Sequence, residues 1–138
     1  MEVLFVFLGG AFGALFRYLI LNIFKEYPIN LIGVFLVNML GCFIIGFVSY
    51  IGIKKYSIMD KNLKNFFTVG FAGGFTTFSA FTHPVIEMFF KQHYIYVCVN
   101  MLISVILGLF FVAWGMNFGY YIMNMLIRAR IIKYRQDY

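Results

Sequence analysis

The third apolar stretch of the chain, residues 66–90, contains the run GGFTTFSAF at residues 73–81. Because glycine and β-branched residues weaken a helix, this run predicts an interruption in the middle of an otherwise apolar helix. In hydrocarbon every backbone N–H and C=O must be paired, so a broken helix persists only where protein or a water-filled cavity receives the freed groups. Interrupted helices hold the ion sites of many membrane transporters. We therefore expect function to centre on this run.

Four apolar stretches make up most of the chain, and each is long enough to cross a bilayer, which takes ~20 residues. With 63% hydrophobic and 12% charged residues, a soluble domain with a single core is excluded. The sequence predicts an all-α membrane protein that forms one four-helix transmembrane domain over residues 1–138. The fourth stretch is longer than a bilayer needs, which indicates a tilted or projecting helix. The predicted spans are 3–24, 29–53, 66–90 and 94–125, followed by a basic tail at 126–138.

Lysine and arginine residues outside the spans are distributed unevenly. Four lie in the connection 54–64, four lie in the tail, and each of the other two connections has one. Cytoplasmic flanks carry the excess of basic residues, so we expect both termini in the cytoplasm of a multi-pass protein of the cell membrane. The net charge of +6 is not accompanied by a basic motif interleaved with aromatic residues, which argues against a nucleic-acid partner.

The polar side chains at membrane depth are nearly all hydrogen-bond donors. Asn38 lies at the centre of the second span, and Tyr96, Asn100 and Ser104 recur every four residues along one side of the fourth. No aspartate or glutamate lies at the centre of a span, whereas cation pathways use carboxylates or rings of carbonyls. A path lined by N–H and O–H groups favours an anion. Asn38 taken alone is equally compatible with a role in holding two helices together.

Phe78 and Phe81 lie three residues apart on one face of the helix that follows the interruption. Because the edge of an aromatic ring is positive, such rings can attract an anion weakly enough for it to leave again, with ordinary packing as the alternative. Carbonyls freed at Gly73 and Thr76 are suitable ligands for a monovalent cation such as sodium. Arg17 is a guanidinium inside the first apolar run, which predicts either snorkelling to the nearer interface or a vestibule or structural role.

Three motifs resemble the Fluc-type fluoride channels, the CrcB-like family, over essentially the whole chain. They are GGAFGALFRY at 9–18, GVFLVNMLGCFIIG at 33–46 and GGFTTFSAF at 73–81. The resemblance implies an antiparallel, dual-topology-type dimer with two narrow pores and no enzyme activity. It also implies passive export of cytoplasmic fluoride, which enters the cell as neutral HF and is trapped when it ionises.

The same resemblance implies roles for individual residues. The carbonyls of Gly73 and Thr76 would hold a central structural sodium ion shared by the two chains, and Arg17 would lie near a vestibule. The implied pore residues are the phenylalanine pair Phe78 and Phe81, the asparagine Asn38, the hydroxyl residues Thr77 and Ser79, and the fourth-span residues Tyr96, Asn100 and Ser104.

The chain departs from the family pattern in ways that leave alternatives open. Pro84 stands where many members have a glutamate, with Glu87 three residues later, and it predicts a second irregularity beyond the first. Eight basic flanking residues on one face against two on the other favour an oppositely oriented homologous partner chain over a second copy. Two other functions stay open, a small four-helix multidrug or cation antiporter and a non-conducting subunit of a heterodimeric channel. The antiporter would need a membrane carboxylate, and the nearest candidate, Glu87, is off-centre.

Overall fold

The computed structural model describes residues 1–24, 31–53 and 59–136, and every regular element in these ranges is helical. The described residues do not include 25–30, 54–58 and 137–138. These ranges contain the predicted first connection, the start of the predicted second connection and the last residues of the tail. One segment, π1, is a π-helix at Phe66–Ala72. The α-helices are α1 at Glu2–Ile23, α2 at Leu31–Ile53, α3 at Lys61–Asn65, α4 at Gly73–Phe75, α5 at Ser79–Phe90 and α6 at Tyr94–Gln136.

Three stretches of helix are long and apolar enough to cross a membrane, at Glu2–Ile23, Ile32–Gly52 and Tyr94–Arg128. The third predicted span is not among them, because its helical part is divided into pieces shorter than 18 residues. It also begins at Lys61 and not at residue 66. The earlier start has a local cause, since the Asp60 Oδ1 atom accepts a hydrogen bond from the Leu63 N–H at 2.8 Å and caps the helix. The chain is an all-helical membrane protein.

Helix α6 is one continuous helix of 43 residues, which at ~1.5 Å per residue is about 65 Å long. Because the hydrocarbon core of a bilayer is only ~30 Å thick, α6 extends well beyond it. The segment predicted as a basic tail from residue 126 is helical as far as Gln136. The excess apolar length of the fourth stretch thus belongs to a projecting helix.

Pro84 lies inside α5 and does not interrupt it, so the predicted second irregularity was wrong. Proline removes a single N–H, here the one that would donate to the Ala80 carbonyl, and membrane helices tolerate such a loss where other groups compensate. The Thr82 hydroxyl adds a hydrogen bond to the Ser79 carbonyl at 3.1 Å in the first turn. Helix α5 continues past Pro84 to Phe90.

Glycines allow α1 to approach the third segment closely. A Cβ atom added at Gly9 would lie 2.9 Å from the backbone nitrogen of Phe71, and one added at Gly13 would lie 2.8 Å from that of Phe75. Small residues at four-residue spacing permit this backbone contact between membrane helices. Because both partners advance together along the chain, α1 runs parallel to the segment formed by π1 and α4.

Helices α2 and α6 are also parallel. A Cβ added at Gly108 would lie 3.6 Å from the Cys42 sulfur, and one added at Gly119 would lie 3.1 Å from Tyr50 Cβ. The contacts again advance in the same direction on both helices. The first segment is thus parallel to the third, and the second is parallel to the fourth. This is the arrangement expected of a chain that crosses a membrane back and forth.

The beginning of α1 and the beginning of α3 lie at the same end of the molecule. Lys61 Nζ and Glu2 Oε1 form an ion pair at 2.7 Å, and a Cβ added at Gly52 would lie 2.9 Å from Lys64 Cδ. Since α6 is parallel to α2, its C-terminal part extends from this end as well. The N-terminus, the C-terminal end of α2, the beginning of α3 and the projecting part of α6 therefore share one end of the molecule.

Replacing Gly13 by alanine is expected to lower the free energy of unfolding by about 1–3 kcal/mol, the usual cost of overpacking. The new Cβ would press against backbone atoms of Phe71 and Phe75, which cannot turn aside as a side chain can. Gly10→Ala is the matched control, because its Cβ would meet only the Gly70 carbonyl oxygen at 3.9 Å. Denaturant unfolding of both variants in detergent measures the difference. Equal stability of the two variants would contradict the close crossing of α1.

Candidate ion pathway at the helix break

The α-helical conformation of the third segment ends at Phe75 and resumes at Ser79. Thr76 is extended, with φ −76° and ψ 157°. The sequence predicts an irregular stretch over residues 73–81, whereas the structure confines it to Thr76–Phe78 because Gly73 and Gly74 remain helical. Gly74 serves close packing, since a Cβ added there would lie 3.0 Å from the Cα atom of Gly10 in α1.

The side-chain amide of Asn38 reaches from α2 to the break. Its Oδ1 atom accepts a hydrogen bond from the Thr77 N–H at 2.9 Å, and its Nδ2 atom donates one to the Thr77 carbonyl at 3.2 Å. One side chain therefore satisfies both backbone polar groups of a residue outside the helix. Because unpaired backbone groups are costly in hydrocarbon, this pairing stabilises the break.

The Thr77 side chain makes two polar contacts with the first turn of the helix that follows the break. Its Oγ1 atom accepts a hydrogen bond from the Ala80 N–H at 3.3 Å and lies 3.3 Å from Ser79 Oγ. The first contact satisfies an N–H group in the first turn of α5, as an N-capping side chain does, although Phe78 is the residue that immediately precedes the helix. Thr77 is buried and Ser79 is exposed. The two predicted hydroxyl residues are thus in contact with each other, and one of them is paired with Asn38.

The carbonyl groups of Gly73 and Thr76 are among those that lose their usual helical donors at the break. The Thr77 N–H, which would donate to the Gly73 carbonyl in a continuous α-helix, donates to Asn38. The Ala80 N–H, which would donate to the Thr76 carbonyl, donates to the Thr77 hydroxyl. Gly73 is exposed, and a Cβ added there would meet no atom within 4 Å. The two carbonyls predicted to bind a cation are therefore released from the helix.

Arg17 lies beside the break. Its Nη1 atom donates a hydrogen bond to the Thr76 carbonyl at 3.3 Å, and its side chain is partly buried. The Thr76 hydroxyl bonds back to the Ala72 carbonyl at 2.8 Å. Two consecutive residues of the break are therefore held by side chains of different helices, Thr76 by Arg17 from α1 and Thr77 by Asn38 from α2.

Phe78 and Phe81 form a ring pair with centroids 6.2 Å apart and an interplanar angle of 41°. Phe78 is 76% exposed on the chain. Phe78 directly follows Thr77, so the hydrogen bonds between Asn38 and Thr77 also hold the backbone from which the Phe78 ring projects. Phe81 is half-buried and lines a groove beside the break.

A groove of about 230 Å³ lies between α2, α5 and α6. It contains three of the predicted pore residues, Phe81, Asn100 and Ser104. In the described part of the chain, the side chains of Asn100 and Ser104 make no hydrogen bond, so their polar groups are available to a ligand. The other lining residues are Ile32, Phe35, Leu36 and Ile103.

Tyr96 lies outside this groove. With Asn100 it lines a smaller pocket between α5 and α6, beside Pro84 and Met88, and it is half exposed. Asn100 belongs to both pockets. The predicted polar track on α6 is therefore divided between two cavities that meet at Asn100.

The predicted residues form two groups that meet at the ring pair. Asn38, Thr77 and Ser79 form the hydrogen-bonded group at the break, while Asn100 and Ser104 belong to the groove. The α2 wall of the groove was not predicted. The spacing along α2 could have indicated part of it, because Phe35 precedes Asn38 by three residues and shares its side of the helix.

Comparisons with known proteins agree with the three sequence motifs. Residues 4–116 match the family described as CrcB-like protein, Camphor Resistance (CrcB). The Fluoride-specific ion channel FluC 2 of Staphylococcus saprophyticus is 38% identical over 121 residues, which cover 86% of this chain and 97% of that protein. The Fluoride-specific ion channel FluC of Thermosipho melanesiensis is 35% identical over 122 residues, covering 86% of this chain and 96% of that protein.

A third relative extends the agreement. The Fluoride-specific ion channel FluC 1 of Staphylococcus aureus is 36% identical over 121 residues, with 86% of this chain and 97% of that protein covered. The matched family region contains the α1 glycines, Asn38, the break and the polar residues of α6. The chain belongs to the CrcB-like protein family.

Proposed function

We propose that this chain is a fluoride-selective ion channel that lowers cytoplasmic fluoride by passive efflux. Family membership and the names of the relatives support the proposal. The relatives are ion channels, and this confirms the prediction that the chain is not an enzyme. The observation that carries the proposal is the pairing of Asn38 with Thr77, which holds a membrane helix open at the point where donor groups and phenylalanine rings converge.

The chemistry of this constellation suits a small anion. Each primary amide has two N–H groups, and Asn38 uses one on the Thr77 carbonyl, so the other is available to the anion. Together with hydroxyl groups of Thr77 and Ser79, such donors replace part of the hydration shell of fluoride. The ring edges of Phe78 and Phe81 add weak attraction without tight binding. Along α6 the path would continue past Tyr96, Asn100 and Ser104.

A complete pore requires a second chain. The groove is lined by α2, α5 and α6 alone, and the ring of Phe78 is largely exposed on the single chain. An antiparallel partner, packed against this surface, would close both features and give two pores per dimer. The partner is either a second copy or an oppositely oriented homologous chain, and the uneven flanking charges favour the homologous chain.

A central structural sodium ion fits the residues at the break. Backbone carbonyls are the ligands that unwound membrane helices offer to sodium, and the carbonyls of Gly73 and Thr76 are both released from their helical donors. Gly73 is exposed, so a partner chain can approach this part of the break. We propose that these carbonyls, together with their counterparts in the partner, hold the ion.

The proposed location is the cell membrane, with the shared end of the molecule in the cytoplasm. This end carries the N-terminus, the beginning of α3 and the C-terminal part of α6. Eight of the flanking lysine and arginine residues belong to it by sequence. Basic flanks are retained on the cytoplasmic side.

Liposomes containing the purified chain and fluoride are expected to lose fluoride rapidly and to retain chloride. A fluoride electrode measures the efflux, and empty liposomes provide the control. If the chain alone is silent, coexpression with an oppositely oriented homologue is expected to restore efflux. Fluoride movement that requires a proton gradient and a carboxylate such as Glu87 would support an antiporter, while silence in both preparations would indicate a non-conducting subunit.

A further inference from the structure

Arg17 brings a permanent positive charge to the same carbonyl that the proposed sodium site uses. The guanidinium is a cationic donor, and its Nη1 atom donates to the Thr76 carbonyl at 3.3 Å. The Ala80 N–H is occupied by the Thr77 hydroxyl. In the single chain, the guanidinium therefore supplies a hydrogen bond that the helix itself no longer provides to Thr76.

The second carbonyl of the proposed site, that of Gly73, has no contact with Arg17 like the one that Thr76 makes. Gly73 also lacks its helical donor, because the Thr77 N–H donates to Asn38 at 2.9 Å. No side chain covers Gly73, and a Cβ added there would have no neighbour within 4 Å. One carbonyl of the pair thus accepts a hydrogen bond from a cationic side chain of α1, while the other belongs to an exposed glycine.

We propose that Arg17 is a positioning residue of the sodium site, which satisfies the Thr76 carbonyl in the unassembled chain and weakens sodium binding in the assembled one. This inference rests on the proposed function, in which sodium binds the carbonyls of Gly73 and Thr76. An unpaired carbonyl is costly in hydrocarbon, so Arg17 keeps the break stable before a partner arrives. A sodium ion held by the Thr76 carbonyl would carry the same charge as the neighbouring guanidinium, and like charges repel each other in a medium of low dielectric constant.

Replacing Arg17 by glutamine separates the two effects. Glutamine keeps N–H donors but removes the charge, so we expect the sodium concentration that gives half of the maximal thermal stabilisation of the dimer to fall by about tenfold or more. The measurement is a sodium titration in detergent, with choline replacing sodium at constant ionic strength. Lys61→Gln is the matched control, because it removes one positive charge at the end of the molecule, where Lys61 pairs with Glu2.

Arg17→Lys provides the second test, because lysine keeps the charge and loses the planar fork of donors. Its half-stabilising sodium concentration is expected to remain within about threefold of the original value, since the repulsion is retained. If the glutamine variant does not fold, the lysine variant tests whether the charge at position 17 sets the sodium requirement. An unchanged or higher sodium requirement in Arg17→Gln, or a tenfold lower one in Arg17→Lys, would overturn the proposal.

Fluoride efflux from the same preparations distinguishes this inference from the channel proposal. Efflux without any sodium response in the original protein would overturn the role of Arg17 and leave the channel intact. A sodium response that depends on the charge at Arg17, in a protein that does not conduct fluoride, would support the role of Arg17 and contradict the channel.

Discussion

Fluoride efflux through an Asn38→Leu variant is expected to fall by about 100-fold or more, which corresponds to about 2.7 kcal/mol. Leucine has a similar size but cannot accept from the Thr77 N–H or donate to the Thr77 carbonyl, and both bonds are lost together. Each unpaired group costs about 1–3 kcal/mol when buried. The backbone at Thr77 is then expected to rearrange, which would move Phe78 and the neighbouring hydroxyl groups out of position.

A stopped-flow or electrode measurement of fluoride efflux from liposomes tests this effect, with dimer content measured by size-exclusion chromatography. Asn38→Asp is informative because it keeps the acceptor for the Thr77 N–H and loses the donor to the Thr77 carbonyl, while adding a negative charge that repels the anion. Its efflux is expected to fall at least as far. Asn117→Leu is the control, because Asn117 is exposed on α6 outside the site. Efflux in Asn38→Leu within threefold of the original protein would contradict the role of Asn38.

Replacing Phe78 by isoleucine is expected to lower fluoride efflux by about tenfold, which corresponds to about 1.4 kcal/mol and lies near the upper end of the ~0.5–1.5 kcal/mol of an aromatic contact beyond its area. The chain itself loses little packing, because Phe78 is 76% exposed before a partner is added. The positive ring edge is lost while an apolar side chain of comparable bulk is retained. Phe81→Ile removes the other ring of the pair and is expected to act in the same direction.

The matched control is Phe90→Ile, since Phe90 has the same chemistry and is 78% exposed at the end of α5. Efflux and dimer content are measured as for Asn38. A loss of efflux in Phe78→Ile with dimer content unchanged supports a direct role in the pathway. Equal efflux in the Phe78 and Phe90 variants would show that the exposed ring is lipid-facing surface.

The membrane class and three of the four spans could be predicted from the sequence, because the length of an apolar segment can be compared directly with the thickness of the hydrocarbon core. The family could be predicted as well, and the match over residues 4–116 confirms it. The exact limits of the break could not. Glycine weakens a helix wherever it occurs, but Gly73 and Gly74 stay helical and the backbone opens at Thr76.

The reason lies in partners that are distant along the chain. Asn38 and Thr77 are separated by 39 residues, and Arg17 and Thr76 by 59, so no local pattern contains these hydrogen bonds. The helix opens where side chains of α1 and α2 can satisfy the released backbone, and that position depends on how the helices pack. Local composition therefore accounts for the presence of an interruption. Its position, the release of the two carbonyls and the contact of Arg17 with one of them follow from tertiary packing, because in hydrocarbon a backbone group leaves its helix only where another group is placed to receive it.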